Sequence, residues 1–392
     1  MARRLSRTLA GCATALAILC ALPAWAFDTQ ARAAFVLDLK TGTVLLAKRA
    51  DEQMPPASMS KLMTLYLAFE AVKTGRLSLE ERLPVSAHAM SYGGSTMFLD
   101  TTDRIKVRDL LRGIIVLSGN DACAVIAEAL SPSGTEAGFA ELMTQRAQQL
   151  GMTNSHFVNA SGWPAPGHVM SMRDLVLLAT HLYNDFPEFY PMFSETTFEF
   201  DGRAAQNVSN RNPLLALGIG ADGLKTGHTE EAGYGLVGSA QQGDRRVIFA
   251  ITGLDSAAAR SRESEAIVNW AFRQFAEKTV VKAGRTLASA SVFLGAEDSV
   301  PLVTEKDVTM LVPVSGPGQL EAEAVYTGPL EAPIAKGQQL GELIIRPAGL
   351  PEARVPLVAA QAVDRGGIIK RVTAVAQTLM ARFGGGSAPE AM

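Results

Sequence analysis

The chain has 392 residues, of which 47% are hydrophobic and 19% are charged, and its formal net charge is −3. This composition excludes a disordered, collagen-like or miniature disulfide-rich protein, and the length predicts roughly two or three domains. A slightly acidic chain without a long basic run has no electrostatic footprint for nucleic acid, and no apolar stretch reaches the length that a transmembrane helix requires.

Residues 1–26 have the pattern of a signal peptide. Three arginines stand among the first seven residues, residues 9–22 are almost wholly apolar, and Ala24-Trp25-Ala26 supplies a small-x-small cleavage site. The alternative is a short membrane anchor that stays attached. The short apolar segment and the lack of a stop-transfer pattern favour secretion and cleavage.

Cysteine and histidine usage argues against disulfides and zinc. Two of the three cysteines lie in the signal segment, so Cys123 remains alone and is expected to be a small buried hydrophobe. The five histidines are scattered, with no pair at three- or four-residue spacing. A zinc hydrolase of the HExxH kind therefore has no ligand set here.

The first predicted element of the mature chain is a hairpin over residues 33–47, with a Lys40-Thr41-Gly42 turn and Gly42 at positive φ. Residues 59–72 follow as an apolar helix that we expect to be buried nearly all round. Further helical patterns cover residues 107–129, 136–150, 171–184 and 256–276, and strand-like alternation covers 235–239 and 246–253. Helices segregated from a sheet built by both chain ends predict an α+β domain over residues 27–280.

The pattern of apolar and turn-forming residues changes after that domain. Residues 285–360 hold short apolar runs separated by Gly and Pro turns, which predicts a small all-β domain. Residues 366–383 read as one amphipathic helix with three basic residues and no acidic one, and residues 384–392 as a flexible tail. We expect this helix to hold the protein on a membrane surface without spanning it. A helix packed on the β domain is the alternative.

The sharpest chemical feature is Ser58-Met59-Ser60-Lys61. If a helix begins at Ser58, residues i and i+3 share a face, so Lys61 lies one turn along beside the Ser58 hydroxyl. The helix N-terminus favours developing negative charge, and a lysine in an apolar pocket beside another cation becomes a general base near neutral pH. The alternative for so short a pattern is a capping serine followed by a surface lysine.

Two further segments favour the catalytic interpretation. Ser118-Gly119-Asn120 places together a hydroxyl that suits proton relay and a carboxamide that suits a substrate amide. Lys225-Thr226-Gly227-His228 offers a second cation, a hydroxyl for a carboxylate, and a glycine that lets a substrate backbone approach closely. The upstream copy Lys40-Thr41-Gly42 falls in the predicted hairpin turn, and we assign it no chemistry.

In this order the three motifs resemble the SxxK, SxN and KTG signature of penicillin-binding proteins and serine β-lactamases. The SGN form, the KTGHT string, and the β domain with a terminal helix are similar to the low-molecular-mass D-alanyl-D-alanine carboxypeptidases. Residues 93–99 and Asn210-Arg211-Asn212 share in the resemblance, which covers essentially the whole mature chain. It implies a β-lactamase/transpeptidase-like catalytic domain. The segment Gly162-Trp163-Pro164-Ala165-Pro166-Gly167 departs from the family's Gly-Leu-Asp-Ala-Pro-Gly.

The resemblance also implies roles for the matching residues. Ser58 attacks the carbonyl between the two terminal D-alanines of the peptidoglycan stem peptide, and Lys61 takes its proton. Ser118, between Lys61 and Lys225, returns that proton to the leaving D-alanine, and water then hydrolyses the acyl-enzyme. The expected substrate-binding groups are Asn120 for the amide, the backbone N–H groups of Ser58 and His228 for the oxyanion, Thr226 and Arg211 for the terminal carboxylate, and Gly227 beside them.

What the resemblance implies about partners and location follows from that reaction. β-Lactam antibiotics are expected covalent inhibitors, and neither a metal nor a cofactor is needed. The expected location is the periplasm, with peripheral attachment to the outer face of the cytoplasmic membrane. Three other functions remain open at this point: an endopeptidase that cuts peptidoglycan crosslinks, a serine β-lactamase, and a catalytically idle penicillin-binding scaffold.

Overall fold

The structure, a computed structural model, describes residues 27–203, 206–314 and 320–367. The predicted signal peptide (residues 1–26), residues 368–383 of the predicted amphipathic helix, and the predicted tail (residues 384–392) lie outside the described residues. Among the helices of the described ranges, none combines the length and apolar character that a membrane span requires.

The helical and sheet elements of the larger domain interleave along the chain. The strands are β1 (Ala33–Asp38), β2 (Thr43–Lys48), β3 (Arg82–Pro84), β4 (Arg104–Lys106), β5 (Ala221–Thr229), β6 (Gly233–Gln242) and β7 (Arg245–Leu254). The helices are α1 (Lys61–Lys73), α2 (Ala87–Met90), α3 (Val107–Arg112), α4 (Asn120–Leu130), α5 (Glu136–Gln149), α6 (Met172–Asp185) and α7 (Ala257–Arg273). Short 3-10 helices cover Ala57–Ser60 and Tyr190–Ser194, and a π-helical segment covers Gly113–Leu117.

Five antiparallel strands form the main sheet in the order β2-β1-β7-β6-β5. The predicted hairpin is β1 and β2, and it joins the later strands because β1 pairs with β7 along its whole length. Alternate residues of β7 point to opposite faces, so that Ile248 packs with the helical core while Phe249 packs against α7. A sheet buried on both faces and built from both chain ends confirms the predicted α+β architecture.

Helix α1 runs through the centre of the helical region. All of its residues from Lys61 to Phe69 are buried, as the absence of a polar face predicted. Helices α5, α6 and α7 lie within three residues of their predicted ends, and the side chains of Thr135, Ser171 and Ser256 cap their first turns.

In the structure the helical pattern over residues 107–129 is interrupted once. The segment is α3, the π-helical segment and α4, with a break at Ser118, whose backbone is left-handed at φ 63°. The carbonyl of Leu117 accepts hydrogen bonds from the Arg211 and Asn207 side chains instead of continuing a helical ladder. Partners that are distant in sequence therefore hold the break open.

The second domain is built from strands. They are β8 (Phe275–Val281), β9 (Ala288–Phe293), β10 (Ser299–Val303), β11 (Val308–Pro313), β12 (Leu320–Tyr326), β13 (Leu330–Glu331), β14 (Gln339–Pro347) and β15 (Ala353–Ala359). Six of them form the sheet β12-β14-β15-β10-β9-β13, and β8 pairs with β11. Along the β8/β11 ribbon, Phe275 packs in the core beside α7 and Val281 packs in the core of the β domain. The predicted all-β character is confirmed.

Candidate active site

Ser58 lies in the 3-10 turn that leads directly into α1, and its hydroxyl is partly exposed. Lys61 is the first residue of α1, and its Nζ donates a hydrogen bond of 2.9 Å to Ser58 Oγ. The expected i, i+3 relation therefore holds across a 3-10 turn, although the α-helix itself begins three residues after Ser58. The amine and the hydroxyl are in direct contact.

The surroundings of Lys61 lower its basicity. The side chain is fully buried, and its Nζ also donates to Asn120 Oδ1 at 2.7 Å and to the Ser161 carbonyl. Burial, together with a smaller contribution from the Arg211 charge, lowers the pKa of Lys61 to about 8. The cation that contributes to this shift is Arg211, which lies outside the three sequence motifs. A lysine of this kind is partly neutral near physiological pH.

The Ser118-Gly119-Asn120 segment forms the bend between the π-helical segment and α4. Ser118 is buried, and its side chain makes no hydrogen bond within the part of the chain that the structure describes. Asn120 opens α4 and donates from Nδ2 to the Gly93 carbonyl at 2.8 Å. The next residue, Asp121, accepts hydrogen bonds from the backbone N–H groups of Met97 and Leu99, which fastens the 93–99 loop beside the motif.

Lys225, Thr226 and Gly227 lie on β5, one of the two edge strands of the main sheet, and all three are buried. A Cβ on Gly227 would lie 3.0 Å from Met59 Cγ and 3.1 Å from the Pro56 carbonyl oxygen. The glycine thus allows the edge strand to pack against the serine-bearing turn. This reason differs from the close approach of a substrate backbone that the sequence suggested.

Lys225 is a second buried amine of the site. Burial, the Arg211 charge and the Lys61 charge hold the pKa of Lys225 well below its usual range. Within the described residues, its Nζ has one hydrogen-bond contact, at 3.4 Å to the Thr226 carbonyl. Two buried amines of reduced basicity therefore stand close to one another, an arrangement that suits proton transfer.

A cavity of about 560 Å³, which we call the catalytic cavity, separates the helical side of the site from β5. Of the residues predicted from the sequence, it is lined by Ser58, Ser118, Asn120, Arg211, Thr226, Gly227 and His228. Lys61 and Lys225 lie buried behind its wall. Arg211 donates to Ser95 Oγ at 3.0 Å and to the Leu117 carbonyl at 2.7 Å, which fixes its guanidinium at the rim.

Among the lining residues that were not predicted as site residues, three have large side chains: Trp163, Tyr234 and Arg260. The His228 ring stacks on Tyr234 with centroids 3.9 Å apart. Arg260 is buried, donates to the Arg211 carbonyl at 3.3 Å, and leaves its Nε without a partner in the described residues. Nothing in the helical pattern of α7 distinguishes Arg260 from its surface neighbours. The positive charges around the catalytic cavity suit an anionic ligand group.

Gly42 and Cys123, to which the sequence assigned no chemical role, behave as expected. Gly42 has φ 69° in the hairpin turn, and Lys40 beside it pairs with Asp244 and Glu277. Cys123 is a free, fully buried cysteine of the hydrophobic core, and burial raises the pKa of its thiol to about 12. Neither residue takes part in the site.

Two protein-family models match this chain. Residues 21–256 match the family model of D-alanyl-D-alanine carboxypeptidases, and residues 275–365 match that of the C-terminal domain of penicillin-binding protein 5. The chain is 35% identical over 346 residues to D-alanyl-D-alanine carboxypeptidase DacD of Salmonella typhimurium, covering 86% of this chain and 87% of the relative.

Two solved structures are also similar. The crystal structure of D-alanyl-D-alanine carboxypeptidase DacD from Francisella tularensis superposes with a TM-score of 0.74 at 29% identity, covering 86% of this chain and 95% of that one. Penicillin-binding protein D2 from Listeria monocytogenes in an ampicillin-bound form has a TM-score of 0.56 at 35% identity, covering 62% of this chain and 98% of that one.

Proposed function

Because this chain belongs to the D-alanyl-D-alanine carboxypeptidase family, we propose that it removes the terminal D-alanine of peptidoglycan stem pentapeptides through an acyl-enzyme on Ser58. It is a serine hydrolase with carboxypeptidase activity. The observation that carries the assignment of Ser58 is the 2.9 Å contact between its hydroxyl and the buried amine of Lys61.

In the acylation step, Ser58 Oγ attacks the carbonyl carbon of the penultimate D-alanine while neutral Lys61 takes the hydroxyl proton. The lowered pKa of Lys61, about 8, supports this role because a general base works best when its pKa lies near the working pH. The C–N bond then breaks, and the leaving D-alanine takes up a proton. In our proposal Ser118 relays to it the proton that Lys61 took, so that Ser118 keeps a hydroxyl and Lys61 becomes neutral again, with Lys225 behind the same cavity wall as the second amine. Water then hydrolyses the acyl-enzyme and regenerates the Ser58 hydroxyl.

The substrate is held on both sides of Ser58. We assign Asn120 to the substrate amide and the backbone N–H groups of Ser58 and His228 to the oxyanion, where each donor is worth about 10²–10³ in rate in well-studied enzymes. Thr226 and Arg211 receive the terminal carboxylate. The guanidinium of Arg211 is fixed at the rim of the catalytic cavity, which supports that assignment. A bidentate pair with a carboxylate requires a guanidinium that is held in one orientation.

The same chemistry makes Ser58 the target of β-lactams. The Listeria relative has been crystallised in ampicillin-bound and cefotaxime-bound forms. In our proposal, the opened β-lactam stays on Ser58 as an ester and blocks the path of the hydrolytic water. Inhibition is therefore covalent and confined to this one serine.

The location of the enzyme is a further part of the proposal. Residues 1–26 direct it to the periplasm, and residues 366–383 hold it on the outer face of the cytoplasmic membrane. The basic, amphipathic composition of the second segment supports surface attachment. We divide the mature chain into a catalytic domain over residues 27–280, a β domain over residues 285–360, and this helix. Strand β8 crosses the first boundary and joins the two domains, since Phe275 packs beside α7 and Val281 packs in the core of the β domain.

The experiment that tests the proposed function measures D-alanine released from a pentapeptide precursor by the purified mature enzyme. Wild type should release one D-alanine per peptide, and Ser58→Ala should release none. Release that persists in Ser58→Ala, or release only from crosslinked dimers, would refute the proposal.

A further inference from the structure

A second cavity adjoins the catalytic cavity on the side away from Arg211. We call it the distal cavity; its volume is about 430 Å³. The two cavities share Gly162, Trp163, Pro164 and Thr229 as lining residues. The distal cavity also reaches Ala57, the residue before the nucleophile. A ligand that passes Ser58 can therefore continue from one cavity into the other.

The wall that the two cavities share is held rigidly and carries an aromatic side chain. The side-chain Oδ1 of Asn159 accepts hydrogen bonds from the backbone N–H groups of Ser161, Gly162 and Trp163, and its Nδ2 donates to the Trp163 carbonyl. The indole crosses to the opposite loop, where a Cβ on Gly94 would lie 3.1 Å from its Cζ3. Trp163 is nonetheless 45% exposed. It offers a held, apolar surface beside the acyl side of Ser58.

The ends of the paired cavities carry opposite charge. Arg211 and Arg260 line the catalytic cavity, whereas Glu231 lines the distal one. Glu231 is exposed, and it forms no ion pair or side-chain hydrogen bond with the residues that the structure describes. A ligand with a carboxylate at one end and an ammonium at the other matches this polarity.

We propose that the distal cavity is a subsite for the side chain that precedes D-alanyl-D-alanine in the substrate, with Trp163 packing on an aliphatic stem and Glu231 pairing with a terminal ammonium. This inference rests on the proposed function, because the carboxylate end at Arg211 and Thr226 places the acyl part of the peptide toward the shared wall. The enzyme then prefers a long, amine-ended residue at that position.

The test compares three N-acylated tripeptides that end in D-Ala-D-Ala and carry L-lysine, L-norleucine or L-alanine before it. For wild type, kcat/KM for D-alanine release should fall about fivefold from lysine to norleucine, through loss of one partly exposed charge pair. It should fall about tenfold more from norleucine to alanine, through loss of apolar contact. Added salt should reduce the first difference and leave the second.

Variants assign the two effects to their residues. Glu231→Gln should abolish the lysine preference alone, and Trp163→Ala should reduce the norleucine preference alone, with Trp163→Leu intermediate. Glu230→Gln is the matched control, since Glu230 lines neither cavity, and it should keep both ratios. Thermal unfolding of each variant, compared with wild type, reports whether the fold is intact.

The outcomes separate the subsite from the function. A wild-type enzyme that cleaves all three peptides equally, or a lysine preference that survives Glu231→Gln, would overturn the subsite while leaving the proposed function in place. A wild-type enzyme that releases D-alanine from none of the three would overturn the proposed function, and the subsite with it.

Discussion

The strongest quantitative prediction concerns the pH dependence of acylation. Burial, with a further contribution from Arg211, lowers the pKa of Lys61 from 10.5 to about 8. At pH 7 the neutral fraction of such a lysine is about 10%, against about 0.03% for an unperturbed one, so the environment raises the population of the active base about 300-fold. Because the neutral form acts, the rate should rise with pH and level off above about pH 8.

The assay is the pseudo-first-order acylation of Ser58 by a chromogenic cephalosporin between pH 5 and pH 10. At pH 6 we expect a rate about 100-fold below the plateau. Arg211→Gln removes a cation that lowers the pKa of Lys61. The acid limb of its pH–rate profile should therefore move to higher pH, whatever the plateau rate of this variant. Arg262→Gln, which replaces an exposed arginine of α7, is the control and should leave the limb in place.

Lys61→Arg tests the identity of the base directly. Arginine keeps its charge across this range, so acylation should fall by about 10²–10⁴-fold. Thermal unfolding of the same variant establishes that it is folded. A rate that is independent of pH between 6 and 9, or a folded Lys61→Arg enzyme with wild-type acylation, would refute the reasoning.

Four other outcomes follow from the site and its surroundings. Intact-mass analysis with penicillin should show one adduct that is lost in Ser58→Ala and kept in Ser60→Ala, and labelling without Ser58 would exclude it as the nucleophile. Gly227→Ala should lower the free energy of unfolding by about 1–3 kcal/mol, measured by denaturant titration, and slow acylation because the added methyl pushes β5 from the serine-bearing turn. Arg211→Ala should weaken kcat/KM for a free-acid substrate about 10- to 100-fold more than for its C-terminal amide, since a charge-assisted contact is worth about 1.5–3 kcal/mol; equal losses would remove Arg211 from the carboxylate site. Truncation after Asp364 should leave active enzyme that no longer sediments with anionic vesicles, whereas a full-length protein that never sediments would contradict the anchor.

Much of this protein could be read from local patterns. The hairpin, the buried α1, the helices capped by serine and threonine, and the all-β texture after residue 280 all follow from periodicity and turn residues, which report on neighbours a few positions apart. The contact between Ser58 and Lys61 belongs to the same class, because three residues of helical backbone bring the two side chains to one face. The three motifs predicted the catalytic residues and the family resemblance.

Tertiary structure decided what depends on distant partners. The break at Ser118 exists because Arg211 and Asn207 capture the carbonyl before it, and a helical pattern contains no information about residues ninety positions away. Arg211 contributes to lowering the pKa of Lys61, and motif order could not identify it because Coulomb interactions depend on distance in space and on burial.

At Gly227, the sequence predicted one part of the role and tertiary packing determined the other. The sequence identified the glycine and tied it to close approach, but packing of β5 against the serine-bearing turn supplies the atoms that come close. Trp163 and Arg260 line the catalytic cavity for the same reason, since a loop and a helix far apart in the chain meet there. Local sequence determines which groups are available, whereas packing determines which of them share a dielectric environment and a cavity.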